Sequence, residues 1–121
     1  MMIPNLFILY VANPPASSKF YKKLFDKEPD VILPTWAAFS FENGFNLGLW
    51  STTACDFVSC GEGNRTELSF MVKDIQTVDA LYQRYVRDGV QIEQEPKQAI
   101  FGKTFVAFDP DGHRIRVCIP D

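Results

Sequence analysis

Hydrophobic and polar positions along the chain follow one pattern that occurs twice. The N-terminal segment LFILYVANPPASSKFYKKLF aligns with ELSFMVKDIQTVDALYQRYV without a gap, so that Val11 falls on Val72 and Tyr21 on Tyr82. In each copy, an apolar run of strand length precedes apolar residues at helical spacing. The repeat therefore predicts two equivalent modules, each of which begins with a strand and a helix.

Both predicted helices carry end signals. Asp74 is a suitable N-cap for the second helix, and Gly89 is placed to end it. Pro14 and Pro15 lie in the first turn of the first helix, where proline is tolerated. The residues at helical spacing are Phe20, Tyr21, Leu24 and Phe25 in the first copy, and Ile75, Val78, Leu81, Tyr82, Tyr85 and Val86 in the second.

Each predicted helix is followed by strands rather than by another helix. WAAFSFENGFNLGLW and TFVAFDPDGHRIRVCI each contain two alternating runs around an Asn-Gly or Asp-Gly dipeptide, which favours a tight hairpin turn. Aligning the hairpins places Gly44 on Gly112, and Gly48 then corresponds to Arg116. We predict an α+β fold with two βαβββ modules, at about residues 3–53 and 65–121, within one domain of residues 1–121.

Alternation along the strands separates an apolar face from a mixed face. The apolar set is Phe7, Leu9, Val11, Leu47, Leu49, Leu68, Phe70, Val72, Ile115 and Val117. The mixed set contains Tyr10, Asn46, Gly48, Trp50, Glu67, Ser69 and Arg116. We expect the apolar set to pack under the helices, and the mixed set to form a ligand cavity on a curved mixed β-sheet.

Composition and charge exclude several classes of partner. The net charge of -3 and the scattered basic residues argue against nucleic-acid binding. No apolar run approaches the roughly 20 residues that a membrane helix needs. Three cysteines without CxxC spacing, Cys55, Cys60 and Cys118, indicate free thiols rather than disulfides or a zinc site, with Cys118 buried in a strand. We therefore expect a cytoplasmic protein that binds neither nucleic acid nor membranes.

The predicted architecture, together with YVAN...KFYKKLF and FGKTFVAFDPDGHRIRV, resembles the vicinal oxygen chelate superfamily of glyoxalases, extradiol dioxygenases and antibiotic-resistance proteins. The resemblance covers essentially the whole chain. Within the superfamily, NLFILYVAN, LGLWS and FGKTF...DPDGHRIRVC are most similar to phenazine-antibiotic resistance proteins. The resemblance implies a homodimer, because members commonly build each cavity from two chains.

Metal-dependent members of this superfamily take their ligands from the first and last strands of each module. Carried over by the repeat, these positions are Leu6, Gly48, Glu67 and Arg116. Leucine and glycine have no side-chain donor, and a guanidinium cation repels a divalent ion. The resemblance therefore implies a metal-free site, and we expect no metal and no other cofactor.

The only histidine, His113, follows the Asp111-Gly112 turn directly. Alternation points it to the face opposite Arg116, and no second histidine is present with which it could form a metal site. We interpret His113 as a turn or surface residue, not as a catalytic or metal-binding one.

Two alternatives stay open for the cavity residues. Glu67 and Arg116 either pair with each other or bind the ligand, with Arg116 contacting a carboxylate and Glu67 accepting a hydrogen bond. Trp50 is either a stacking platform for a planar ligand or a core or interface residue. Trp36, Phe39, Phe41 and Phe101 are candidates to enclose the same site or to belong to the core.

The resemblance favours a metal-free binding protein that sequesters a planar aromatic antibiotic, a phenazine, and so confers resistance. Its expected ligand-binding residues are Tyr10, Gly48, Trp50, Glu67, Ser69, Phe101 and Arg116, with no catalytic residue. One alternative is a metal-free enzyme with Glu67 as base and Tyr10 or Cys118 assisting. A carboxylate beside an arginine is a weak base, which counts against this enzyme. The others are a glyoxalase-like metal-dependent lyase and an interaction module with a collapsed cavity.

Overall fold

The computed structural model describes residues 1, 3–53, 66–99 and 102–119, and the chain divides into two compact units, residues 1–61 and 62–121. The first unit contains β1 (Leu6–Val11), α1 (Pro14–Phe25), β2 (Val31–Leu33), β3 (Trp36–Ser40) and β4 (Asn46–Ser51). The second contains β5 (Glu67–Met71), α2 (Ile75–Arg87), β6 (Gln91–Ala99), β7 (Gly102–Phe108) and β8 (Arg114–Cys118). The prediction of an α+β fold with two βαβββ modules is confirmed.

Each unit forms one mixed four-stranded sheet with the same topology. The strand orders are β1-β4-β3-β2 and β5-β8-β7-β6, and the first strand of each unit pairs in parallel with the last. Ile8 lies opposite Gly48 in the first sheet, and Ser69 lies opposite Arg116 in the second. The alignment of the two copies relates Ile8 to Ser69 and Gly48 to Arg116, so the sequence repeat is also a repeat of strand register.

One helix covers one face of each sheet. Helix α1 packs on β2, β3 and β4, and α2 packs on β6, β7 and β8. The side chains buried under the helices are Leu9, Val11, Phe39, Leu47 and Leu49 in the first unit, and Phe105, Ala107, Ile115 and Val117 in the second. Burying a side chain such as Phe39 contributes roughly 1.5–3 kcal/mol, so this apolar face stabilises each unit.

The hairpin turns form where the sequence places them. Gly44 and Gly112 adopt φ angles of 86° and 85°, in the left-handed region that side chains with a Cβ rarely adopt. The β3–β4 and β7–β8 pairs on either side are antiparallel, as a tight turn requires. Each turn therefore fixes which residues of its two strands lie opposite each other.

The helix ends show how local sequence sets the element bounds. The Asp74 side chain accepts hydrogen bonds from the backbone N–H of Thr77 at 2.8 Å and from its hydroxyl at 2.6 Å. At the other end of α2, the N–H groups of Gly89 and Val90 bond to the carbonyls of Val86 and Tyr85, and Gly89 has a φ of 77°. Both end signals are confirmed, because the capping bonds satisfy backbone groups that a helix leaves unpaired.

No helix in the described part of the chain is long and apolar enough to cross a membrane.

The end of α1 supplies a stability prediction. Asp26 caps α1 with a φ of 54°, whereas Asp88 caps α2 with a φ of -82°. Asp26→Gly is expected to raise the free energy of unfolding by about 0.5–1 kcal/mol, because glycine adopts the left-handed conformation without a Cβ clash. Urea unfolding followed by circular dichroism measures the change.

The matched control is Asp88→Gly. It relieves no left-handed backbone and is expected to leave the stability unchanged or to lower it slightly. Equal effects of the two substitutions would contradict the explanation by backbone strain.

Candidate functional site

Three aromatic side chains cross the helix-free face of the first sheet at one level. Tyr10 on β1 pairs in register with Trp50 on β4, and Trp50 pairs in register with Trp36 on β3. All three point away from α1, since alternate residues of these strands are buried beneath it. We call Tyr10, Trp50 and Trp36 the aromatic row.

Trp50 is the central ring of the aromatic row and contacts both of the others. The rings of Tyr10 and Trp50 have nearly parallel planes, 16° apart, with centroids separated by 6.4 Å. Trp36 meets Trp50 edge to face, at 5.8 Å and 80°. Tyr10 remains 37% exposed and both tryptophans are half-buried, so the row presents aromatic surface on a rigid sheet.

Gly48 lies in the middle of the same face and is buried. A Cβ atom built on Gly48 would lie 2.7 Å from Cζ3 of Trp36, and closer still to Cη2. The outer ring of the Trp36 indole therefore covers Gly48 directly. That Gly48 contacts a ligand stays a prediction.

The other aromatic candidates do not join the row. Phe39 is fully buried on the helix side and meets Phe25 of α1 at 5.2 Å. Phe41 also contacts Phe25, with the ring centroids 5.2 Å apart. For Phe39 and Phe41 the core alternative is therefore the observed one. Phe101 lies outside the described residues.

The helix-free face of the second sheet carries a polar cluster instead, formed by Glu67, Ser69, Thr104 and Arg116. Arg116 Nε donates to Glu67 Oε1 at 2.6 Å, and its Nη1 donates to Thr104 Oγ1 at 3.0 Å. The Ser69 hydroxyl donates to the same Glu67 oxygen at 3.4 Å. Glu67 and Arg116 thus pair with each other, and that they contact a ligand stays a prediction.

Thr104 is the member of the polar cluster that the sequence pattern did not identify. It is 1% exposed, and its hydroxyl donates to the Val117 carbonyl at 2.9 Å while it accepts from Arg116. Thr104 occupies the β7 position that corresponds to Trp36 on β3. The repeat could have identified it, because the alignment that places Gly44 on Gly112 also places Trp36 on Thr104.

A second ion pair lies beside the polar cluster. Arg114 Nε and Nη2 donate to the two carboxylate oxygens of Glu93 at 2.8 and 2.9 Å. The hydrogen bond from Arg114 holds the pKa of Glu93 below its usual value. Glu93 lies at a register shift of β6, between Ile92 and Gln94, so alternation alone could not assign its face.

The residues at the family's metal-ligand positions do not fit a divalent cation. Leu6 and Gly48 offer no side-chain donor, and the guanidinium of Arg116 already binds the carboxylate of Glu67. Elsewhere in the described part of the chain, no three His, Cys, Asp or Glu side chains form a group that could hold a metal ion.

Cys118 lies buried at the end of β8, as expected, and is a free thiol. Cys55 and Cys60 lie outside the described residues.

His113 belongs to the β7–β8 turn, as predicted. Its Nδ1 lies 2.7 Å from Oδ2 of Asp109, whose side chain is fully buried. The other oxygen, Asp109 Oδ1, accepts from the backbone N–H groups of Asp111 and His113 at 2.9 and 2.8 Å. The hydrogen bond to Asp109 raises the pKa of His113 above its usual value, although partial burial opposes the rise.

The raised pKa of His113 makes its contribution to stability depend on pH. This contribution is complete below the unfolded-state pKa of about 6.5 and is lost as the pH rises through the higher folded-state pKa. The stability advantage of the wild type over His113→Gln is therefore expected to shrink between about pH 6 and 8. Urea unfolding over this range measures it, and an advantage that grew with pH would contradict the assignment.

An NMR titration supplies the control. Because His113 is the only histidine, its imidazole signal is unambiguous in both the folded and the urea-unfolded protein. The folded protein is expected to titrate at the higher pH.

Comparisons with known proteins agree with this architecture. The model of the Glyoxalase/Bleomycin resistance protein/Dioxygenase superfamily matches residues 3–117. A phenazine antibiotic resistance protein of Enterobacter agglomerans, EhpR, is 32% identical over 118 residues, covering 95% of this chain and 90% of that protein.

Solved structures give the same result. A protein of Agrobacterium tumefaciens, determined in solution by NMR, is 40% identical over 100% of this chain and 99% of its own, with a TM-score of 0.87. A glyoxalase-related enzyme from Fulvimarina pelagi, at 23% identity, covers 98% of this chain and 88% of its own, with a TM-score of 0.83, and shares the fold. The twofold βαβββ repeat and these matches show that the chain belongs to the Glyoxalase/Bleomycin resistance protein/Dioxygenase superfamily.

Proposed function

We propose that this protein binds a planar aromatic antibiotic of the phenazine class and confers resistance by sequestering it, without chemical change. The observation that carries the proposal is the aromatic row of Tyr10, Trp50 and Trp36 on a sheet face that its own helix leaves uncovered. The similarity to a phenazine antibiotic resistance protein supports a resistance-type function.

The aromatic row has the chemistry that such a ligand requires. Stacking on aromatic side chains is worth about 1–3 kcal/mol per ring in complexes with planar bases, and it depends little on the ring's substituents. The rings belong to three neighbouring strands of one sheet, so little of the chain has to become ordered when a ligand binds. Little of the interaction free energy is therefore spent on conformational entropy. Protection by sequestration needs only this affinity and enough protein.

The polar cluster is unsuited to general-base catalysis and restricts how a ligand could use Arg116. Glu67 Oε1 already accepts hydrogen bonds from Arg116 Nε at 2.6 Å and from the Ser69 hydroxyl at 3.4 Å, so this oxygen is engaged by the protein's own donors. A ligand carboxylate would reach Arg116 only by replacing Glu67, and Glu67 would then lose its charge-assisted partner. We therefore assign the binding free energy to ring stacking on the aromatic row.

Tryptophan fluorescence tests the proposal directly, because the only two tryptophans of the chain both lie in the aromatic row. Titration with a phenazine carboxylate is expected to quench the wild type saturably. By calorimetry, Trp50→Ala is expected to weaken binding by about tenfold or more, as loss of one stacked ring implies.

Phe41→Ala is the matched control, since it removes an aromatic ring on the helix side of the same sheet. It is expected to leave the dissociation constant unchanged. A folded wild type with no affinity better than about millimolar, or recovery of an altered ligand after incubation, would overturn sequestration.

We also propose that the protein is a homodimer, with β2 of one chain against β2 of the other. Val31, Ile32 and Leu33 are 39%, 54% and 53% exposed at the edge of the first sheet, and the strand carries no charge. Uncharged apolar edge strands attract pairing, and a twofold axis brings identical apolar side chains together.

Sedimentation velocity measures the assembly state. The wild type is expected at twice the mass of the chain, and Ile32→Lys is expected to be monomeric because it places a charge in the interface. Val86→Lys, at an exposed apolar position of α2, is the control and is expected to remain dimeric. A monomeric wild type at micromolar concentration would contradict the assembly.

A further inference from the structure

Gly48 tolerates no side chain as long as Trp36 keeps its orientation. A Cβ on Gly48 would lie 2.7 Å from Cζ3 and 3.0 Å from Cζ2 of Trp36, and nearer still to Cη2. These atoms belong to a rigid fused ring, so the indole could only make room by moving as a whole. Gly48 is not among the residues with a positive φ, and its requirement for glycine is therefore a close approach and not a backbone angle.

The orientation that Gly48 permits is the one that joins Trp36 to the aromatic row. Trp36 leans across the sheet from its register partner Trp50 towards Gly48, which lies two residues earlier on β4. In this position the two indoles meet edge to face, with the centroids 5.8 Å apart. An indole displaced by a side chain at position 48 would lose this contact, so the length of the row depends on Gly48.

In the second unit, the large and the small residue are exchanged between the two equivalent positions. Arg116 occupies the place of Gly48, and Thr104 occupies the place of Trp36. There the long side chain stands at the central position, and Thr104, which is the register partner of Cys118 two residues further along β8, is small enough to accept a hydrogen bond from Arg116 at 3.0 Å. In each unit, one of the two positions therefore carries a large side chain and the other a small residue that leaves room for it.

We propose that Gly48 is a positioning residue for Trp36, and that Trp36 placed in this way gives the aromatic row its preference for a fused three-ring ligand over a two-ring one. This inference rests on the proposed function, because it concerns ligands of the aromatic row. In this role Gly48 acts through the indole that covers it.

The dimensions of the row support this preference. Its three side chains stand on adjacent strands, which are about 4.8 Å apart, so the row extends roughly 10 Å across the sheet. A fused three-ring system can contact Tyr10, Trp50 and Trp36 together. A two-ring system contacts two of them, and it gains nothing from the third.

A double-mutant cycle with two ligands tests the inference. The variants are Gly48→Ala, Trp36→Leu and the double variant, and calorimetry gives the dissociation constants for a phenazine carboxylate and a quinoxaline carboxylate. Gly48→Ala and Trp36→Leu are each expected to weaken phenazine binding by about five- to tenfold, the size of one aromatic contact, and quinoxaline binding by less than twofold. In the double variant, the Gly48→Ala change is expected to add nothing to the effect of Trp36→Leu.

Three other outcomes would contradict the inference in different ways. Equal weakening of both ligands by Gly48→Ala would show a general structural effect and overturn the inference. Additive effects in the double variant would show that Gly48 acts independently of Trp36. An unchanged ligand preference in Trp36→Leu would remove Trp36 from the recognition surface, while the proposed function would stand on Trp50.

Near-ultraviolet circular dichroism separates failure of this inference from failure of the proposed function. Without any ligand, coupling of the two indoles gives a signal that Gly48→Ala is expected to abolish, as Trp36→Leu does. If the wild type binds neither ligand, the proposed function and the ligand preference both fail, and this signal alone decides whether Gly48 positions Trp36. If Gly48→Ala does not fold, recovery of folding in the double variant supports the steric coupling between Gly48 and Trp36. If neither Gly48→Ala nor the double variant folds, the coupling is overturned.

Discussion

The parallel pairing of the first and last strands in each unit is the constraint on which the candidate site depends. Because β1 lies beside β4, and β5 beside β8, residues far apart in the sequence, such as Tyr10 and Trp50, become register partners on one face. Parallel neighbours need a crossover, and the helix of each unit supplies it while covering the other face. The helix-free face is thus built from the two ends of each module.

The two modules use this face for different chemistry. In the first, the Trp36 indole occupies the space over Gly48, which has no side chain, and contacts Trp50. The result is an apolar aromatic surface. In the second, Arg116 fills the same position and is held by Glu67 and Thr104. The repeat preserves the backbone register while the side chains at the central positions differ completely.

The charges of the second face are matched locally rather than offered to a cation. Glu67 pairs with Arg116, and Glu93 binds Arg114 through both carboxylate oxygens. Bidentate and charge-assisted pairs of this kind fix geometry well, although half-exposed pairs contribute little to stability. A carboxylate paired in this way orients its arginine through hydrogen bonds.

The fold was predictable from local signals, because the structure follows the repeat, the period-two strands, the Asn-Gly and Asp-Gly turns and the Asp74 cap. Alternation also placed Tyr10 and Trp50 on the helix-free face of the first sheet, and Glu67 and Arg116 on that of the second, because alternation needs no knowledge of the partner strands.

The contacts between side chains on these faces were not predictable in the same way. The indole of Trp36 over Gly48, the hydroxyl of Thr104 beneath Arg116 and the pairing of Glu93 with Arg114 each join different strands. Alternation assigns a side chain to a face, but a contact across strands depends on side-chain direction and on the register of the neighbouring strand. At Glu93 a register shift interrupts the alternation of β6, so the face on which its side chain lies was not predictable from the sequence pattern.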